Sequence, residues 1–578
     1  MKRFLHFLSP LFANYKLLLV ASLPAVAVTA FGLVQVQVTD LFAWIVTLTV
    51  RFMVEFAFLG FCLSLLNALH LKNKWFLGIL LFLYYFVTTA DLTLLIYFKE
   101  RFGAKYFDTL QGGDYDFMTD WRLLSYFAAL GLFCATLLYK GFKAVPYKQA
   151  LKQTGFYACI LLFFIFVNPF VVLEKPNDFF ARYFLPPLPV YLFNALTATP
   201  QKALITDNLP ADIAATAQQY NVFTAKNTGI GKNYTRVILI ATESLSAKYM
   251  HRFNVNIPVV AGRGYDALFD KYPSDTLQTV TLSTLYGLTV IFSSHPYAEL
   301  SFSNAYPISF VKELQKNGFH TAFVRGAHED YMHENELFHQ AGFETVRGWN
   351  FFEQETAYKD YLDWWGLLDR KLFDYAADYL AEHRNEKTFL TLLTVDTHVP
   401  LGRLDYLGEE YEEIDAQFYD RPTLPRAFAR GGQDIERFIE NLRAKNLLDE
   451  NTLILVTADH PSFSNMITPG LFKPFDPVFD RIPFAIVTVP AINKPLVTNT
   501  LASQLDIAPT VLDLLNLPQP KGFFGHSLFE QNTPRSVFDI KEDYAVVTTQ
   551  KDRQVFSLNS TRPSDKKLID LMTTFWVD

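Results

Sequence analysis

The stretch RVILIATESLSAKY, Arg236 to Tyr249, decides how the rest of the chain is read. Val237–Ile238–Leu239–Ile240 is a short unbroken run of β-branched residues and leucine, the pattern of one strand buried on both faces. The run stops at Thr242–Glu243–Ser244, which sets an acid directly off the strand tip. In open α/β sheets, ligands bind outside the carboxyl ends of the strands. The same grammar returns at Thr452–Thr457, TLILVT, which stops at Ala458–Asp459–His460. One strand-end acid is commonly a structural group. Two such ends, with Asp and His adjacent in the second, point instead to a metal site. Glu243, Asp459 and His460 supply two carboxylates and an imidazole, a donor set that suits one divalent cation such as Mn²⁺, Mg²⁺ or Zn²⁺.

Outward from these strands, helical and strand patterns alternate. Helical patterns cover Phe310–Asn317, Trp365–Glu382, Asp434–Lys445 and Ala502–Leu515; strand patterns cover Thr321–Arg325, Thr388–Val395 and Phe484–Val489. Strands alternating with helices of this length predict βαβ units and a central, mostly parallel sheet. Residues 233–578 are therefore expected to form one large α/β domain. It holds no cysteine, since Cys62, Cys134 and Cys159 all precede it, so it offers neither a disulfide framework nor a thiol nucleophile. With 51 basic against 58 acidic residues, nothing points to nucleic acid.

The first third of the chain is of another kind. Leu17–Val34, Leu41–Leu66, Trp75–Phe98, Leu123–Tyr139 and Phe156–Leu173 are apolar segments near the roughly 20 residues that a spanning helix requires. They predict an anchor of five transmembrane helices over residues 1–174. Lys2, Arg3 and Lys16 precede the first segment, Lys72 and Lys74 follow the second, and Lys140, Lys143, Lys148 and Lys152 follow the fourth. The positive-inside rule then places the N-terminus inside and everything after the fifth span outside. Arg51 and Glu55 lie four apart within the second segment, as a self-satisfied pair or a contact to a lipid headgroup. Residues 175–232, broken by six prolines, read as a connector on the membrane surface, with an aromatic-rich interfacial helix over Tyr183–Leu196.

A strand ending in TES, the threonine-rich segment Ser274–Leu288, WGLLD at Trp365–Asp369, THVP at Thr397–Pro400 and TADH at Thr457–His460 together resemble the sulfatase-like branch of the alkaline phosphatase superfamily. SQLDIAPTVLDLL at Ser503–Leu515, followed by Gly525–His526–Ser527–Leu528, is similar to that branch's closing helix and turn. With five spans ahead of it, the chain resembles the lipoteichoic acid synthase, phosphoglycerol transferase and phosphoethanolamine transferase families. The resemblance implies an enzyme of a bacterial cytoplasmic membrane, its catalytic domain outside. It would move a phospho-alcohol headgroup from a phospholipid donor, through a covalent phospho-threonine, to an envelope glycan or glycolipid, with Mn²⁺ as the first choice of metal.

In the resembled families the nucleophile is a threonine, and its oxygen is expected to be the fourth metal ligand, because coordination lowers its pKa. YPSDTLQTVTLSTLYGL offers Thr276, Thr279, Thr281 and Thr284. Ser274 or Asp275 as N-cap, with Leu277, Val280, Leu282 and Leu285 as apolar positions, predicts a helix whose N-terminus would aim its amides at a phosphate. That reading selects Thr276, with Thr279 as the alternative nucleophile. His398, in THVP, matches the families' active-site histidine, which contacts the phosphate or protonates the leaving alcohol. Arg325, at a strand end, suits bidentate phosphate clamping, with His328 and Trp349 as weaker substrate-binding candidates.

No Cys/Ser-x-Pro-x-Arg pattern occurs in the threonine-rich segment, so sulfatase chemistry through formylglycine is set aside. A second metal would call for more Asp and His ligands than the sequence pattern places at these strand ends. Phosphoethanolamine transferases usually carry SHGP and several domain disulfides; THVP and a cysteine-free domain favour phosphoglycerol. Headgroup hydrolysis and an inactive binding module complete the alternatives.

Overall fold

The structure, a computed structural model, describes residues 17–23, 41–69, 78–79, 81–88 and 145–171, with a few single positions between them, then 203–205 and 209–576. The last range is interrupted at 256–258, 282, 297–305, 330–333, 364, 399–407, 419–423, 463–480, 498–500, 532, 542–543 and 559. The chain divides into two compact units, residues 1–199 and 200–578.

In the first unit, helices α1 (Leu41–Ala68) and α2 (Tyr147–Val171) pack against each other. Among the described residues one segment, Leu48–Ala68, is long and apolar enough to cross a membrane. Most of the expected fourth and third spans and half of the first lie outside the described residues, as does nearly all of the expected interfacial helix at 183–196. Arg51 and Glu55 form a fully buried ion pair at 3.0 Å, and the Tyr84 hydroxyl donates to Glu55 at 2.6 Å. The two charges are paired within the protein, which is what an apolar setting demands of buried charges.

The second unit begins ahead of the expected boundary at 233. Strand β1 (Ala203–Ile205) pairs in parallel with the last strand, β12 (Thr574–Trp576). Helix α3 (Ala211–Tyr220) packs on a C-terminal helix, Pro563–Thr573. Residues 200–232 therefore belong to the globular unit, where the apolar face of α3 (Ile213, Ala217, Tyr220) joins Phe538, Leu571 and Met572 in a second, smaller core.

The main core surrounds a seven-stranded sheet of β2 (Arg236–Thr242), β3 (Ser274–Gln278), β4 (His320–Arg325), β5 (Thr345–Arg347), β6 (Thr388–Leu393), β7 (Thr452–Ala458) and β8 (Arg481–Thr488). Their order is β3-β8-β7-β2-β6-β4-β5. Neighbours from β7 to β5 are parallel, while β8 runs antiparallel to both β7 and β3, so the sheet is mixed rather than parallel throughout. Every residue of β2 and β7 is buried, as their unbroken apolar runs require. A three-stranded antiparallel sheet, β9 (Val537–Lys541), β10 (Tyr544–Thr548) and β11 (Arg553–Ser557), completes the domain.

The main departure from expectation falls at the threonine-rich segment. Residues 274–278 are an edge strand, with Ser274 opposite Ala485 and Thr276 opposite Pro483, and helix α4 (Thr284–Ser293) starts only after Ser283. The apolar positions 277, 280, 282 and 285 do not keep a helical period, and the strand's partner lies some 200 residues away in sequence. Helices α5 (Asp369–Glu382) and α6 (Leu424–Ala444) pack together, α5 starting four residues after the expected Trp365.

On α6, Asp434 is buried and accepts a hydrogen bond from the Tyr411 hydroxyl at 2.6 Å. Burial pushes its carboxyl up to about 7, helped by the Asp396 charge and opposed by the tyrosine. A folded pKa above the unfolded value of roughly 3.9 means the native state binds the proton more tightly. Stability from this group is complete below about pH 4 and is lost as pH rises to about 7. In Asp434→Asn that loss is absent, so the variant's melting temperature relative to the parent should climb between pH 5 and pH 8. A pH-independent difference would show that the carboxyl is not held protonated.

Candidate active site

Strands β7, β2 and β6 are neighbours at the centre of the sheet, so the residues that follow them meet at one carboxyl-end edge. Glu243 follows β2, and Asp459–His460 follow β7. Their side chains are buried, and their ligand atoms lie within 4.8 Å of one another. Glu243 Oε1 stands 3.3 Å from His460 Nε2, and Asp459 Oδ2 stands 3.7 Å from it. His460 Nδ1 donates to the Pro461 carbonyl at 3.0 Å, which orients the ring and turns Nε2 to the carboxylates.

The turn after β2 is fixed by this cluster. Ser244 adopts a left-handed φ of 56°, which an L-residue holds only when its surroundings over-determine it. Its amide donates to Asp459 Oδ1 at 2.9 Å and its hydroxyl to Glu243 Oε1 at 2.6 Å.

Charge at the cluster is tightly coupled. Burial opposes ionisation of Glu243, yet the hydrogen bond from His460 and the facing His398 and His460 rings hold it well below the usual range. Burial, then repulsion from Glu243, pushes Asp459 far up. His460 rises to about 9, because the two carboxylates outweigh its own burial. Asp459 Oδ2 is buried without a hydrogen-bond partner. Two buried carboxylates, one with an unpartnered oxygen, and an imidazole with Nε2 facing them fit a divalent cation.

Thr284 supplies the missing hydroxyl. It is the first residue of α4; its Oγ donates to Glu243 Oε2 at 3.2 Å and lies 3.4 Å from His460 Nε2. Gly287 makes that approach possible, since a Cβ there would stand 2.2 Å from the Asp459 carbonyl oxygen. Thr284 is half-buried and reachable, whereas Thr276, Thr279 and Thr281 are buried.

The structure does not bring Thr276 to the cluster: on β3, its hydroxyl accepts from Arg481 Nε at 2.6 Å. Thr279 is in the β3–α4 loop, its hydroxyl donated to the Thr281 carbonyl at 2.7 Å. Arg325 does end β4, but it is buried in an ion pair with Glu334, which neutralises the charge meant for a phosphate. His328 stacks on Trp349 with ring centroids 4.4 Å apart, outside the cluster. His398 follows β6, packs against Trp365 at 4.6 Å, and its charge is felt at Glu243.

Beyond Ser244 and the role of Thr284, sequence reasoning missed Gln504, whose amide bridges Val280 N and the Asp459 carbonyl, tying the β3–α4 loop to the end of β7. A signal for Thr284 existed: the mostly apolar run 285–292, broken only by Thr289, begins immediately after it, with Ser283 as N-cap.

The mixed α/β sheet thus gathers two acids, an imidazole and a threonine hydroxyl at its carboxyl edge. Residues 235–517, just under half of the chain, match the family model described as Sulfatase. Phosphoglycerol transferase I of Xanthomonas campestris pv. campestris is 26% identical over 229 residues, 39% of this chain and 31% of that protein. Phosphoglycerol transferase I of Escherichia coli is 27% identical over 253 residues, 42% of this chain and 32% of that protein. The matched region thus spans about a third of the length of these curated relatives. Among solved structures, the integral membrane lipooligosaccharide phosphoethanolamine transferase A of Neisseria meningitidis aligns over 87% of this chain and 95% of its own, with a TM-score of 0.57 at 14% identity. A Vibrio parahaemolyticus protein of the alkaline phosphatase superfamily covers 61% of this chain and 86% of its own, with a TM-score of 0.50 at 15% identity. At such identities the structural likeness speaks for the fold.

Proposed function

We propose that the chain is a membrane-anchored, metal-dependent transferase that moves a phosphoglycerol headgroup from phosphatidylglycerol to an envelope glycan or glycolipid, with Thr284 as nucleophile. The observation that carries this reading is the Thr284 hydroxyl, reachable, at a helix N-terminus and within hydrogen-bond distance of Glu243.

Glu243, Asp459, His460 and the Thr284 oxygen would hold the cation, Mn²⁺ by preference. When bound, it supplies Lewis-acid stabilisation of negative charge and lowers the pKa of the threonine hydroxyl. The first-turn amides of α4, which have no intrahelical acceptor, face a phosphate placed at Thr284. Thr284 Oγ attacks the donor phosphorus, the bond from phosphorus to the diacylglycerol oxygen breaks, and diacylglycerol leaves with the threonine's proton. His398 would carry that proton to the leaving oxygen. An acceptor hydroxyl then attacks the same phosphorus, the Thr284 ester breaks, and the threonine oxygen regains a proton. Five spans, with the N-terminus inside and the domain outside the cytoplasmic membrane, would keep the site beside its lipid donor.

Phosphoethanolamine is the second reading, favoured by the fold likeness to a phosphoethanolamine transferase; the names of the sequence relatives and the cysteine-free domain favour phosphoglycerol. Intact-protein mass after incubation with each lipid separates them. A glycerol phosphate adduct on a peptide containing Thr284 is expected with phosphatidylglycerol. An adduct formed with phosphatidylethanolamine alone would move the assignment to the second reading, and released headgroup without adduct would indicate hydrolysis.

A further inference from the structure

Asp369 opens helix α5, yet its side chain serves another segment. An aspartate at a helix start ordinarily binds amides of its own first turn. Asp369 directs Oδ1 to the Val395 amide at 2.7 Å and Oδ2 to the Asp396 amide at 3.0 Å, while Asp396 Oδ2 accepts the Asp369 amide at 3.1 Å. Asp369 is buried and Asp396 half-buried, and this reciprocal clasp grips the loop that follows β6.

The same loop grips the candidate site. The Thr394 hydroxyl accepts the Glu243 amide at 2.9 Å, and the Thr397 hydroxyl donates to the Glu243 carbonyl at 2.5 Å. Both backbone groups of Glu243 are thus held by side chains of residues 394–397. The His398 amide closes the loop on the Val395 carbonyl at 3.0 Å, and the His398 ring packs on Trp365, four residues before Asp369. One continuous chain of contacts therefore runs from Asp369 through residues 394–398 to Glu243 and to His398.

We propose that Asp369 is a positioning residue, which fixes the 394–398 loop so that Glu243 keeps its place among the metal-binding groups and His398 its place against the substrate. Hydrogen bonds are directional, so two of them from one side chain to successive backbone amides define the loop's register on α5. In Asp369→Asn one amide acceptor becomes an N–H donor facing another N–H, and one side of the clasp opens. Groups of this outer shell typically change metal affinity or activity by about 10–100-fold when altered.

The activity readout rests on the proposed function; the other two do not. Full-length protein in detergent is compared with Asp369→Asn, with Thr397→Val, which cuts the chain one link nearer the site, and with Asp513→Asn. Asp513 is an equally buried carboxylate bound to Thr228 and Ser527, and it serves as the control for general destabilisation. Chelator competition with Mn²⁺, amide exchange of peptides covering 243–246 and 394–398, and kcat and KM for phosphatidylglycerol are measured on each. Asp369→Asn and Thr397→Val should weaken Mn²⁺ about 10–100-fold and lower kcat comparably, with KM within about twofold. Exchange should quicken in those two peptides, and Asp513→Asn should show none of these changes. Parent-like Mn²⁺ affinity and exchange in both clasp variants overturns the proposal, as does equal loss in Asp513→Asn. If one clasp variant fails to fold, the other decides. A parent protein that binds Mn²⁺ but transfers no headgroup would sink the proposed reaction, while metal affinity and exchange still judge the clasp.

Discussion

Thr284→Ala is expected to abolish the covalent headgroup adduct and to lower turnover by at least about a thousandfold, roughly 4 kcal/mol of transition-state stabilisation. Removal of a nucleophile costs this much because no neighbouring group can form the same ester. Neighbouring threonines are poor substitutes here, since the Thr276 hydroxyl is bound by Arg481 and the Thr279 hydroxyl is given to the Thr281 carbonyl. Glu243, Asp459 and His460 remain in Thr284→Ala, so Mn²⁺ should still bind, and an intact melting temperature would show the fold unharmed. Mass spectrometry after incubation with phosphatidylglycerol is the check. A normal adduct in Thr284→Ala would remove Thr284 from the reaction.

Asp459→Asn is expected to weaken Mn²⁺ binding by more than about a hundredfold and to silence the enzyme together with the metal. With a cation bound, the ionised carboxylate would supply a ligand oxygen and a negative charge that a neutral asparagine cannot. Asparagine keeps the shape and can still accept the Ser244 and His460 amides that Asp459 Oδ1 now binds. Loss of metal with little loss of stability would therefore assign the effect to charge at the site rather than to the fold. Measured by chelator competition, parent-like affinity in this variant would mean that the Glu243–Asp459–His460 cluster is not where the cation binds.

Much of the site is legible in the local pattern of residues. Each buried strand of the parallel centre is short, apolar and bounded by polar residues, and the chemistry stands at its end. Glu243, Asp459, His460 and His398 therefore fall at one sheet edge on local pattern alone. The helix expected to open at Ser274 or Asp275 fails for a physical reason. An edge strand such as Ser274–Gln278 is defined by its hydrogen bonds to β8, and the propensities of SDTLQ are weak enough for those distant bonds to decide. Once those residues are extended, the helix starts at Ser283–Thr284, and a different threonine arrives at the cluster. Arg325 does stand at a strand end, as its sequence context implies, but Glu334, which claims its charge, comes from the following helix.

Strand ends that carry acids and imidazoles are written in the sequence, because burial of a short apolar run is a local property of its residues. Which threonine faces them, the reversal of β8, and the bracing of the site by Asp369 and Gln504 are settled only when the chain is folded. Those outcomes depend on strand pairing and side-chain reach between segments far apart in the chain, where no periodicity in the sequence carries the information.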